Sequence, residues 1–326
     1  MIHSRIQTSD GQKLVNPPLD QLHAWIADPQ TAVWLDLDAA TSDEVQIVAT
    51  ACDLMDLTVE DISKQGQRAK LESFEERGYA VLCMHGLAFD PQSGAVSVPE
   101  LDAVWGKNFL ITAHPSALSV LQDDRHTPDM QCKNVGKSPS YALYTVIDRL
   151  VDSYFPVLDS MDDAIDELED TIVQDPTPAV LERIFTLKRS IGVARKVTSP
   201  QLEVFNRLIA RDEEFIDPAY TVYYRDIYDH LVRTFEVIDS YRDLMSSALD
   251  AYLSTVSNRQ NEVMKRLTVI ASIFLPITFL TGFFGQNFGH MPQVEHDFGA
   301  LWWVALLGMA LISAGQLFYY RHKGWF

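Results

Sequence analysis

Two uncharged stretches near the C-terminal end constrain this chain more than any other feature. Residues 267–284 are 18 positions without a charged side chain, and residues 298–320 are 23. As helices rising 1.5 Å per residue they would reach roughly 27 Å and about 34 Å, enough to cross a hydrocarbon core. Two such runs in tandem read as membrane spans rather than buried core helices. Lys265 and Arg266 precede the first; Arg321, His322 and Lys323 follow the second; residues 285–297 between them contain no Lys or Arg. The positive-inside rule then puts both termini in the cytoplasm and the short loop outside, as in a multi-pass protein of a cell's inner (plasma) membrane.

Two spans cannot enclose a polar path through a lipid bilayer. A chain of this kind that conducts must do so as a closed oligomer, with one helix per subunit around the axis. The net charge is −19, from 26 Lys+Arg against 45 Asp+Glu, and it is unevenly distributed. Residues 251–326 hold five basic and three acidic side chains, which leaves −21 on residues 1–250. So acidic a domain repels a phosphate backbone, and no nucleic-acid partner is expected. The opening MIHSRIQTSDGQ has no apolar run, so no cleaved signal peptide is expected. Cys52, Cys83 and Cys132 lie far apart without a CxxC pair and read as reduced, buried thiols.

Enzyme signatures are lacking. Gly136-Lys137-Ser138 is similar to the end of a phosphate-binding loop, but Gln131 stands where the first glycine belongs and Pro139 follows. There is no GxSxG, HExxH or glycine-rich dinucleotide fingerprint. No enzyme and no resident cofactor are expected.

Between Pro218 and Pro276 the chain has neither Gly nor Pro. Apolar residues recur at Ile227, Leu231, Phe235, Ile238, Tyr241, Met245, Leu249, Tyr252 and Val256, always in steps of three or four. That pattern predicts one amphipathic helix of about 57 residues, roughly 86 Å long, running into the first span. Pro276 is tolerable there, with a local kink. Met264, Leu267, Ala271, Leu275, Thr278 and Gly282 share one face of the span. Spacing alone leaves two readings: a packing stripe, or, with Asn261 below and Asn287 above, a pore lining of polar and apolar rings.

Upstream, strand-like runs at 33–37, 79–84 and 109–113 alternate with helical stretches such as 42–55, an α/β pattern with a sheet. Residues 139–215 read as helices broken near 176–178 and at Pro200. The segment LDSMDDAIDELEDTIV sets Leu158, Met161, Ile165, Leu168 and Ile172 against Asp and Glu at helical spacing. Its acidic side is either a solvated face or a surface that attracts cations.

After the first span comes Gly285-Gln286-Asn287-Phe288-Gly289-His290-Met291-Pro292. In this position it resembles the GxN motif of the CorA divalent-cation channel family, a family related to the zinc transporter ZntB. Gly285, Asn287, Phe288, Met291 and Pro292 match; Gln286 replaces the usual Met and Phe284 the usual Tyr. The resemblance covers almost the whole chain. It includes Leu57-Thr58-Val59-Glu60-Asp61, Gln67-Arg68-Ala69-Lys70-Leu71-Glu72, the run from Tyr224 to His230, and Gly324-Trp325-Phe326.

The resemblance implies a funnel-shaped homopentamer with an α/β cytoplasmic domain, a long α-helical stalk and two C-terminal transmembrane helices. In these terms residues 1–138 are the α/β domain, 139–218 a helical region and 219–266 the stalk. Residues 267–284 are the pore-lining first span, 285–297 the outer loop, 298–320 the second span and 321–326 a basic tail. Gly285, Gln286 and Asn287 would form the selectivity filter. Asn261, Met264, Leu267, Ala271, Leu275, Thr278 and Gly282 would line the pore. Glu60, Asp61, Asp148 and Asp226 match the positions of a regulatory metal site between subunits. Asp226 is expected roughly 90 Å along the helix from Asn287. Mg²⁺ is the implied substrate and regulatory ligand, with Co²⁺ and Ni²⁺ as lookalikes.

Two departures bear on the metal. The outer loop carries His290 and His296, nitrogen donors suited to Zn²⁺, Co²⁺ or Ni²⁺. Gln286 breaks the usual motif. A Zn²⁺ transporter of the same family and a non-conducting membrane-anchored metal sensor or scaffold are therefore the alternatives to Mg²⁺ transport.

Overall fold

A computed structural model describes residues 1–64, 66–114, 118, 128–210, 215–285 and 298–325. The chain forms two compact units, Met1–Leu249 and Asp250–Phe326.

The first unit is built on a seven-stranded mixed sheet of order β2-β1-β3-β9-β8-β5-β4. Its strands are β1 (Ile2–Gln7), β2 (Lys13–Val15), β3 (Ala32–Asp38), β4 (Lys70–Phe74), β5 (Tyr79–His85), β8 (Glu100–Gly106) and β9 (Phe109–His114). A hairpin of β6 (Ala88–Asp90) and β7 (Ala95–Ser97) stands apart from it. Among the described residues only β3 and β9 pair in parallel. The three strand-like runs read from the sequence are β3, β5 and β9. All residues of β5, β8 and β9 are buried, because helices cover both sides of the sheet.

On one face lie α1 (Leu22–Ala27), α2 (Ser42–Ala51) and α3 (Asp56–Ser63). Val45 and Val48 of α2 join Val33, Leu35, Val81, Val104 and Ile111 of the strands in one apolar core. A capping box starts α2: Thr41 accepts from the Glu44 backbone N–H, and Glu44 accepts in return from that of Thr41. The stretch read as helical over 42–55 is helical only as far as Ala51, and α3 starts beyond it at Asp56. Asp53 has φ 50°, which a continuous helix cannot accommodate.

On the other face lie α4 (Pro128–Lys137) and α5 (Pro139–Asp152). Gly136 and Lys137 close α4, while Ser138 caps α5 and Pro139 opens it. The false phosphate-loop match is therefore a helix-to-helix joint. Helix α6 (Tyr154–Gln174) is the acidic segment. Leu158, Met161, Ile165, Leu168 and Ile172 are buried in it, and Asp162, Asp163, Asp166, Glu167, Glu169 and Asp170 are exposed.

Helix α7 (Pro178–Ala210) corrects the sequence reading, because it runs through Pro200 without a break. Proline removes a backbone donor, which leaves the Lys196 carbonyl without its helical partner, and the neighbouring side chains bond other carbonyls of the same turns. Thr198 donates to the Ala194 carbonyl and Gln201 Nε2 to that of Val197. Gln201 Oε1 also accepts from Tyr154 Oη, and Ala194, Thr198 and Gln201 are fully buried. Tertiary packing carries the helix past the proline.

Helix α8 (Thr221–Phe284) is 64 residues long and continues through Pro276. Ile227, Leu231, Ile238, Tyr241 and Met245 of its apolar stripe are buried within the first unit. Tyr241 Oη donates to the Leu158 carbonyl, which ties α8 to α6. The second unit holds the rest of α8 and α9 (Phe298–His322). Both helices are long and apolar enough to cross a membrane.

One packing test follows from Gly106, at the end of β8. A Cβ there would stand 2.5 Å from a Phe109 ring carbon and 2.9 Å from the Gly78 carbonyl oxygen. Gly106→Ala is expected to destabilise the protein by about 1–3 kcal/mol through overpacking. Denaturant unfolding of the full-length protein in detergent measures it.

Candidate functional site

The candidate residues fall in two places, one in each unit. In the second unit, Asn261, Met264, Leu267, Ala271, Leu275, Thr278 and Gly282 lie along α8 and all are exposed. Leu275 retains 74% of its accessible surface. The opposite side of the helix is the more covered one: Val269 is buried, and Ser272, Ile273, Pro276, Ile277 and Leu280 are partly so. At 100° per residue these two sets centre on opposing faces. The stripe read from the sequence is thus not a packing seam within one chain. It is an uncovered face of mixed apolar, hydroxyl and amide character.

Gly285 follows the helix in a turn, and its N–H donates to the Thr281 carbonyl at 2.9 Å. Gln286, Asn287, His290 and His296 lie outside the described residues.

In the first unit the four acidic candidates form two pairs. Glu60 and Asp61 lie on α3, and each has a lysine. Lys64 donates to Glu60, which holds that carboxyl below its usual range. Lys70 Nζ lies 2.5 Å from Asp61 and 3.5 Å from Glu72. Asp148 on α5 and Asp226 on α8 form the other pair. Burial pushes the Asp148 carboxyl up, and the charges of Asp152 and Asp226 add to it. The same neighbourhood raises the Tyr144 hydroxyl to about 12, chiefly by burial and then by Asp148. His230 Nδ1 stands 3.2 Å from Asp152 Oδ1 at the edge of the group.

Asp148, Asp152 and Asp226 are therefore mutually repelling carboxylates, partly relieved by one imidazole. A divalent cation held by their oxygens would relieve the repulsion further. Asp152 and His230 were missed in the sequence reading. The signal was present, since each lies four residues beyond a named candidate, at Asp148 and Asp226, on the same helical face.

Comparison with known proteins adds a second line of evidence. Residues 29–322 match the model of the family described as CorA-like Mg²⁺ transporter protein. The chain is 33% identical over 300 residues to the cobalt/magnesium transport protein CorA of Thermotoga maritima, covering 91% of this chain and 84% of that one. It is 22% identical over 301 residues to the zinc transport protein ZntB of Yersinia enterocolitica, covering 92% and 90%. Its fold superposes on the complete CorA magnesium transporter of Methanocaldococcus jannaschii with a TM-score of 0.81 at 18% identity, over 100% of this chain and 99% of that one. A chain with two helices long and apolar enough to span a membrane and a sheet-based acidic unit, matched over nearly its full length, belongs to the CorA-like family of divalent metal-ion transporters.

Proposed function

We propose that the chain assembles as a homopentamer that passes Mg²⁺, with Co²⁺ and Ni²⁺ as lesser substrates, down its electrochemical gradient. The α8 helices of five subunits line the path, and cytoplasmic metal closes it. The observation that carries this reading is the uncovered face of α8. Asn261, Thr278 and five neighbours are exposed within their own chain, and in a bilayer such a face is satisfied by partner helices around water.

The chemistry is that of a hydrated ion. Mg²⁺ releases its waters reluctantly and prefers oxygen ligands. Asn287 amides and backbone carbonyls of the Gly285-Gln286-Asn287 motif can hydrogen-bond those waters without stripping them. No carboxylate in the lining would trap the ion. Rings of Met264 and Leu267 can shut the path by dewetting. An inside-negative potential contributes about 4.6 kcal/mol per 100 mV to the entry of a divalent ion, twice the single-charge value.

Gating is assigned to two half-sites. Asp148 and Asp226 of one subunit would face Glu60 and Asp61 of its neighbour, with metal bridging carboxylates that otherwise repel. Loss of that metal would loosen the interface and free the stalks, a two-state element biased by the transported ion.

Zn²⁺ is the runner-up, favoured by the match to the zinc transport protein ZntB and by His290 and His296. Flux into proteoliposomes separates the readings. Mg²⁺ influx exceeding Zn²⁺ influx is expected, driven by an inside-negative potential. The reverse order would establish the runner-up, and no flux of either ion would leave a sensor or scaffold. Native mass measurement in detergent is expected to give five chains; a dimer as the sole species would end the pore reading.

A further inference from the structure

Cys83 and His85 project from one face of β5, two residues apart, and Glu100 and Asp102 from the same face of β8. The antiparallel register sets Cys83 opposite Asp102 and His85 opposite Glu100. The result is a buried square of thiol, imidazole and two carboxyls. All four residues keep 7% or less of their surface. Cys83 Sγ is 3.7 Å from Glu100 Oε1, and His85 Nε2 is 3.9 Å from Glu100 Oε2. One donor atom from each of Cys83, His85 and Glu100 lies within 4.8 Å of the others. A tetrahedral ion with a sulfur ligand at about 2.3 Å and oxygen and nitrogen ligands at about 2.0 Å needs separations of roughly 3.3–3.5 Å. The Cys83–Glu100 and His85–Glu100 separations come within about 0.2 Å and about 0.6 Å of this, to different carboxylate oxygens, so side-chain rotation is needed to close all three on one ion.

Cys83 Sγ donates to Glu100 Oε1 within the square, yet one ring nitrogen stays open: His85 Nδ1 is buried without a hydrogen-bond partner, a rare condition for a core imidazole. Lys70 is a nearby cation, but it already bridges Asp61 and Glu72. Glu100 is oriented from behind, since its Oε2 accepts from the backbone N–H groups of Gly66 at 2.5 Å and Gln67 at 3.1 Å. Outer-shell bonds of this kind are how proteins aim a metal-binding carboxylate. Access exists from two sides. Glu100 and Asp102 line a cleft of about 280 Å³ beside α3, and His85 lines another of about 760 Å³ beside α7.

We propose that Cys83, His85 and Glu100 form a buried binding site for a borderline-soft divalent cation, Zn²⁺ first and Co²⁺ or Ni²⁺ after it, with Asp102 as the nearest further donor. Thiolate and imidazole select such ions, whereas Mg²⁺ demands six oxygens. Binding forms the sulfur–metal bond as the thiol proton passes to solvent, so the site takes up metal with release of protons. The ion would clasp β5 to β8. Through Glu100 it would also hold residues 66–67, where Gln67 Nε2 donates to the Asp61 carbonyl at 2.7 Å. The site shares no residue with the proposed ion path or the acidic pairs, and it does not depend on which ion is transported.

The test uses the full-length protein in detergent, with any affinity tag removed and metal stripped by chelator. Titration with Co²⁺ is expected to produce an intense near-ultraviolet thiolate-to-cobalt band together with the visible absorption of a tetrahedral ion, saturating at one per chain. Zn²⁺ should abolish both in the presence of excess Mg²⁺. Oxygen sites for transport or gating yield no thiolate band, so they cannot mimic the result. Cys83→Ser should remove the band and weaken Zn²⁺ binding by more than about 100-fold, beyond the loss typical of outer-shell changes. A Cys52→Ser/Cys132→Ser double variant, whose sole thiol is Cys83, should retain the band and decides the matter if Cys83→Ser does not fold. Absence of the band in the parental protein, its survival in Cys83→Ser, or displacement of the ion by Mg²⁺ as readily as by Zn²⁺ would overturn the proposal.

Discussion

Replacing Asn287 with Ala is expected to abolish divalent-ion flux while the oligomer still forms. Asn287 is the amide at the third position of GxN, and five copies would supply the oxygens that meet an incoming hydrated ion. A methyl ring offers no hydrogen bond to the first-shell waters, and the ion cannot shed those waters to compensate. Flux in proteoliposomes should fall to the level of protein-free vesicles, and native mass measurement should still report the parental assembly. Asn287→Asp is the informative companion. It keeps an oxygen acceptor but adds five negative charges, so the ion should bind more tightly and leave more slowly. Flux at the parental rate in the Ala variant would place the selectivity ring elsewhere.

The second large effect is expected from Asp61→Ala with Asp226→Ala. These carboxylates belong to the acidic unit and lie far in sequence from the outer loop, so an ion held by them is not the one in the selectivity ring. Removing both should weaken closure by cytoplasmic Mg²⁺ and leave maximal flux unchanged. A ligand shifts a two-state equilibrium only through its differential affinity for the two states, and the variant has lost the carboxylates that supply it. The measurement is flux, or protease protection of the stalk, across a range of internal Mg²⁺. Lys at both positions should behave differently, because a fixed positive charge can hold the acidic interface shut without metal. An Ala double variant with the parental Mg²⁺ dependence would reduce these carboxylates to surface charges. Within one chain Lys70 already lies 2.5 Å from Asp61. The interface must therefore draw Asp61 away from that lysine or bind metal through its other oxygen.

Much of the architecture was legible because it rests on short-range signals. The buried positions of α6, from Leu158 to Ile172, follow from apolar spacing alone. The length of α8 follows from the lack of Gly and Pro before Pro276 and from the apolar steps that begin at Ile227. Strands β3, β5 and β9 announce themselves as β-branched and aromatic runs. Hydropathy and the placement of Lys265, Arg266, Arg321 and Lys323 needed no coordinates to suggest two spans. These features depend on neighbours within a few residues, where helix and strand periods act.

Tertiary structure decided what depends on distant parts of the chain. Pro200 reads locally as a helix breaker, yet α7 passes through it, with Ala194, Thr198 and Gln201 on either side fully buried in tertiary packing. The α8 stripe from Asn261 to Gly282 could be read as a packing seam until its own chain left it uncovered. Asp148 and Asp226 stand 78 positions apart, and only the packing of α5 against α8 couples their charges. Period two could show that Cys83 and His85 share a face of β5, but not that Glu100 and Asp102 would stand opposite them. Local patterning determines which elements form. The register and packing that bring one element's side chains against another's are set by contacts between residues far apart in sequence, and those contacts create the buried thiol–imidazole–carboxyl square and the acidic cluster.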